Sequence, residues 1–120
     1  MLSDRLIEHF KNPRNVGELA PPAVLIRVSN PACGDLMSLS AHFENGAVAE
    51  ARYRVKGCTA SIAAGSALTE WMAGKSAPEL AALNPAVIDE ALGGLSPESR
   101  HAAVLCVDAV RALLRSLSSK

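Results

Sequence analysis

Asn45-Gly46 separates two runs of β-type sequence, DLMSLSAHF (35–43) and AVAEARYRV (47–55). A two-residue type I′ turn needs positive φ at both central positions. Asparagine and glycine meet that demand best, so the dipeptide predicts an antiparallel hairpin. In the second run Ala51, Tyr53 and Val55 alternate with Glu50, Arg52, Arg54 and Lys56. One face of that strand is therefore expected in a core and the other in water. A third run, AVLIRVSN (23–30), is β-branched and bounded by prolines, and predicts another strand.

Helical patterns surround these strands. Residues 3–11 place Leu6, Ile7 and Phe10 on one face, with Ser3 as the cap. NPRNVGELAPP (12–22) is a turn-rich connector set by its prolines and Gly17. The stretch 56–74 is rich in alanine and other small residues. It predicts a helix opened by Cys58 or Thr59 and closed by Gly74. Two short helices follow, capped by Ser76 and Asn84, and Gly93-Gly94 stops the second. A long terminal helix is expected over 96–119, with Ser96 as cap, Pro97 at the first position and Glu98 in the first turn. Strands come first and helices after, without regular alternation. That order predicts an α+β fold in one domain spanning 1–120.

Charge and composition exclude several functions. Twelve Lys and Arg balance twelve Asp and Glu, so the excess of positive charge that non-specific nucleic-acid binding requires is missing. Aromatic residues make up 3%, too few to stack exposed bases. With no apolar run of about 18 residues, no membrane span is expected. The first fifteen residues carry Asp4 and Glu8 and lack the apolar stretch of a secretory signal. A cytoplasmic location is the expectation.

Three cysteines, Cys33, Cys58 and Cys106, do not make a disulfide framework in a reducing compartment. Cys106 lies about 200° around the terminal helix from Asp108, opposite the polar stripe of Asp108, Arg111 and Arg115. It is expected in the core. Cys58 stands between a strand and a helix N-terminus, where a thiolate is favoured; it also fits as a small apolar residue in the joint. Cys33 lies in the turn NPACGD (30–35), and Asp35 there admits two roles, an acceptor of backbone N–H bonds or a ligand. His101, in the first turn of the terminal helix, is either a surface residue or a ligand. His9 and His42 read as surface or packing residues. Taken together, Cys33, Asp35, Cys58 and His101 all fall at element boundaries. Two thiolates, an imidazole and a carboxylate are a complete ligand set for zinc or iron.

Four stretches carry a family resemblance: HFKNPRNVG (9–17), NPACGDLMSL (30–39), KGCTASIAAGSALTEW (56–71) and RHAAVLCVDAV (100–110). In order and over nearly the whole chain, they resemble the iron–sulfur cluster assembly scaffolds of the IscU type and the similar N-terminal domain of NifU. The resemblance implies an IscU/SufE-like fold, a small antiparallel three-stranded sheet packed by helices with a long C-terminal helix. It implies that Cys33, Asp35, Cys58 and His101 cluster at one end and hold a transient [2Fe–2S] cluster, or Zn²⁺ in the same site. The partners it implies are a cysteine desulfurase that supplies sulfur and acceptor proteins that take the cluster; the protein itself is not an enzyme. A mixed set with imidazole and carboxylate suits a cluster that must leave.

Two departures stand out. The family's third cysteine directly follows the histidine, and here that position is Ala102. The segment LSPES (95–99) replaces the Pro-Pro-Val-Lys run that an Hsp70-type chaperone reads in IscU-type members, so recognition by that chaperone does not carry over. Three functions follow for comparison. The first is a cluster scaffold or carrier. The second is a degenerate zinc-binding or sulfur-accepting relative that meets a desulfurase without building clusters, and Ala102 favours it. The third, a hydrolytic zinc enzyme, needs an open coordination position, which four protein ligands do not leave.

Overall fold

The structure, a computed structural model, describes residues 2–30 and 34–118. Strands β1 (Val24–Asn30), β2 (Asp35–Glu44) and β3 (Ala47–Lys56) form an antiparallel sheet in the order β1-β2-β3. Asn45 and Gly46 take φ of 54° and 80°, and the hairpin forms where the dipeptide requires it. Around the sheet lie α1 (Asp4–Lys11), α2 (Thr59–Met72), α3 (Ala77–Ala81), α4 (Pro85–Ala91) and α5 (Arg100–Ser118). The α+β class and the long terminal helix are as the sequence predicts.

Alternation sorts the sheet into two faces. Met37, Leu39, Ala41 and Tyr53 point inward and are buried, beneath α5 on β1 and β2 and α2 on β3. Each large apolar side chain so buried stabilises the fold by roughly 1.5–3 kcal/mol. Helix α2 is buried on most of its circumference, because α1 packs on its far side. Its small residues are what permit this. A Cβ at Gly65 would clash with the ring carbons of Tyr53, whose hydroxyl donates to the Ile62 carbonyl at 2.7 Å. Burial pushes the Tyr53 phenol up to about 12.

Ser3 caps α1 by accepting from the Leu6 amide at 3.0 Å. The Ser66 hydroxyl accepts from the Arg14 amide at 3.0 Å and shares a hydrogen bond with His9 Nδ1 at 2.8 Å. His9 is thus a packing residue between α1 and α2, and burial lowers its pKa. The connector before β1 runs beside β3: Gly17 donates to the Tyr53 carbonyl at 2.8 Å, and Tyr53 to the Asn15 carbonyl at 2.9 Å. Those bonds occupy a sheet edge that would otherwise expose unpaired backbone groups.

The start of the terminal helix differs from the sequence expectation. Pro97–Ser99 form a 3₁₀ turn and α5 begins at Arg100. Ser96 makes no cap bond to the backbone; its hydroxyl donates to the Ser99 hydroxyl at 3.2 Å. The tighter turn leaves the Glu98 carbonyl within reach of the His101 ring.

Candidate metal site

Three side chains from three elements meet at one end of the sheet. Asp35 opens β2, Cys58 joins β3 to α2, and His101 lies in the first turn of α5. The β2–β3 register brings Leu36 opposite Lys56, which sets Asp35 beside the start of α2. Gly57 makes this approach possible, since a Cβ there would lie 2.5 Å from Asp35 Oδ1. Cys58 occupies the N-cap of α2 in extended geometry (φ −80°, ψ 168°) but makes no capping bond. Its thiol is instead free to face the other two groups.

The donor distances are nearly equal. Cys58 Sγ lies 3.4 Å from Asp35 Oδ2 and 3.4 Å from His101 Nε2, and Nε2 lies 3.3 Å from Oδ2. Around a tetrahedral Zn²⁺ with ordinary bond lengths, a sulfur–nitrogen or sulfur–oxygen edge is about 3.5 Å and a nitrogen–oxygen edge about 3.3 Å. The three donors therefore stand as one face of such a tetrahedron, and their chemistry fits zinc or iron.

Groups behind the donors hold their orientation. His101 Nδ1–H donates to the Glu98 carbonyl at 2.8 Å, which leaves Nε2 as the ring nitrogen that faces Cys58 and Asp35. Ser61, fully buried one turn into α2, donates to Asp35 Oδ2 and lies 3.4 Å from Cys58 Sγ. Asp35 is only 4% exposed, a burial that costs a carboxylate heavily unless it is bonded. Cys58 is exposed, so its thiol is open to an approaching group.

Of the four residues expected to converge, the structure brings Asp35, Cys58 and His101 together; Cys33 lies outside the described residues. Cys106 is fully buried, and burial raises its thiol pKa far above the ordinary range. Ala102, at the position of the resembled family's third cysteine, is also fully buried. His42 stands on the outer sheet face, 3.5 Å from Glu44. Sequence reasoning missed Gly57, Ser61 and the Glu98 carbonyl. Ser61 carries one readable signal, its place three residues after Cys58 on the same helical face.

The model of the NifU-like N terminal domain family matches residues 1–120. The iron–sulfur cluster assembly scaffold protein IscU of Haemophilus influenzae is 37% identical over 98% of this chain and 96% of its own length. IscU 1 of Archaeoglobus fulgidus is 37% identical over 92% of this chain and 72% of its own. The crystal structure of a nitrogen-fixing NifU-like protein (N-terminal) from Brucella abortus superposes with a TM-score of 0.79 at 25% identity, covering 98% of this chain and 94% of that one. Fold and sequence agree, and the chain belongs to the NifU-like N-terminal domain family of iron–sulfur cluster assembly scaffolds.

Proposed function

We propose that this chain is a non-enzymatic scaffold that holds a transient iron–sulfur cluster, or a zinc or iron ion in its place, on Asp35, Cys58 and His101, with Cys33 as the fourth ligand. The tetrahedral spacing of the three donors is the observation that carries this reading. Its chemistry divides among the residues. Cys58, exposed at a helix N-terminus, is the thiolate that receives sulfur and grips the metal. His101, its tautomer fixed by the Glu98 carbonyl, offers a neutral nitrogen. Asp35, held by Ser61, offers a hard oxygen that binds iron less firmly than a thiolate and releases it more readily. Sulfur comes from a cysteine desulfurase, and acceptor proteins take the finished cluster.

Ala102 favours a second reading, a relative that binds zinc or accepts sulfur beside a desulfurase without building clusters. Anaerobic reconstitution with ferrous iron and sulfide separates the two. A scaffold gains visible sulfur-to-iron absorption with iron and sulfide in equal amounts, and Cys58→Ser loses it. Zinc retained with no cluster absorption under the same conditions assigns the second reading. Loss of neither metal nor absorption in Cys58→Ser contradicts both.

A further inference from the structure

The outer face of the sheet carries a second constellation, remote in chemistry from the metal site. Ser38 sits in the middle of β2, paired across the ladder with Arg27 on one side and Arg54 on the other. All three side chains share the outer face, and in the next row Leu36 pairs with Lys56. The connector covers only part of this face, where the Leu19 amide donates to Ser40 at 3.0 Å. Beyond it lies an open pocket of about 300 Å³ lined by Arg27, Leu36, Ser38, Arg54 and Lys56, with Glu18 at its rim.

Two observations mark the pocket as built to bind. Ser38 lies beneath it; the residue is 7% exposed, and its hydroxyl oxygen is closed off from solvent with no hydrogen-bond partner among the described residues. A buried hydroxyl left unbonded is disfavoured, a deficit that a ligand oxygen reaching it as the flanking arginine arms move aside would relieve. Charge is the second. The whole chain is neutral, yet three cations gather here against one acid. Arg27 reaches Glu18 only at 3.9 Å, while Arg54 and Lys56 are in no ion pair among the described residues.

We propose that this pocket docks an acidic segment of a partner protein. One carboxylate lies over Ser38 between the Arg27 and Arg54 guanidiniums, a second meets Lys56, and an apolar side chain between them covers Leu36, which is 42% exposed. Neighbouring strands are about 4.8 Å apart, so the two arginines stand roughly 10 Å apart at their backbones and their arms converge on one carboxylate. The exposed leucine argues for a peptide rather than a free inorganic anion, which gains nothing from an apolar wall. The proposal stands apart from the metal site and does not depend on it.

The test is NMR titration of the ¹⁵N-labelled protein with the peptide Ac-Glu-Leu-Glu-Glu-amide, its Gln-Leu-Gln-Gln counterpart and inorganic phosphate. Docking gives saturable shifts in the amides of β2 and β3 around Ser38 and Arg54 with the acidic peptide, weakened by added salt. Arg54→Gln should weaken that binding about threefold and Ser38→Ala about fivefold, while Arg111→Gln on α5 leaves it unchanged. Equal binding of the glutamine peptide overturns the proposal. So does phosphate binding as tightly as the acidic peptide, which makes this a small-anion site, and so does the absence of shifts at peptide concentrations of about 10 mM.

Discussion

Cys58 and Cys106 place the same thiol in two opposite surroundings. Cys58 joins β3 to α2 at the open corner of the fold, 3.4 Å from a carboxylate oxygen and from an imidazole nitrogen. Cys106 sits midway along α5 with no exposure at all, near the ring of Tyr53, and burial holds it protonated. A glycine makes room in each region: Gly57 for the Asp35 carboxylate, Gly65 for the Tyr53 ring. The difference lies in what fills the room. At the open corner it is a carboxylate of the candidate metal site. In the middle it is a ring, and the room goes to packing. A cysteine or glycine in such a chain therefore has no fixed meaning until its neighbours are known.

Substituting the two glycines breaks the comparison in opposite ways. Gly65→Ala should have the largest effect, because neither a fully buried tyrosine nor the helix backbone can yield. Overpacking of this kind destabilises by about 3 kcal/mol, read as a lowered urea midpoint. Gly57→Ala should leave the midpoint within about 1 kcal/mol, since the joint is at the surface. Displacing the carboxylate should instead weaken zinc binding about tenfold to a hundredfold, measured by competition with a chromophoric chelator. If Gly57→Ala binds zinc as tightly as the parent, Asp35 is not a ligand.

A smaller effect separates the two thiols by pH. The folded protein keeps Cys106 protonated well above the ordinary thiol value, while the unfolded chain releases that proton near pH 8.5. Its contribution to stability is complete below about pH 8.5. Above that the unfolded state binds fewer protons than the native one, and stability falls by up to about 1.4 kcal/mol per pH unit. Tyr53, raised from 10 to about 12, extends the fall above pH 10. Cys106→Ala should flatten the part of the slope between about pH 9 and 10, as followed by denaturant midpoints. An unchanged slope would show that Cys106 does not carry it.

Most of the fold was legible because its signals are local. Asn45-Gly46 fixed the hairpin through φ alone, the alternation around Tyr53 assigned the sheet faces, and the phase of Asp108 put Cys106 in the core. The site was legible only in part. Asp35, Cys58 and His101 could be singled out at element boundaries, but their convergence depends on register and on α5 crossing β1 and β2, which no local pattern encodes. Gly57 was invisible for the same reason, and Ser61 carried only its spacing from Cys58: each matters because the Asp35 carboxylate arrives from 22 and 26 residues away. The start of α5 was misplaced because the first turn after Ser96 tightens into a 3₁₀ turn, and Ser-Pro-Glu is compatible with either geometry.

Cobalt titration tests the central claim most directly, since Co²⁺ in a tetrahedral site with a thiolate gives visible d–d bands and a near-ultraviolet sulfur-to-metal band. A site formed by Asp35, Cys58 and His101 gives both at one equivalent of cobalt. Cys58→Ala should abolish the sulfur-to-metal band or reduce it to what Cys33 alone supplies, His101→Ala should weaken binding at least tenfold, and Cys106→Ala should leave the spectrum unchanged. An intact spectrum in Cys58→Ala, or its loss in Cys106→Ala, would contradict the assignment of the open corner as the metal site.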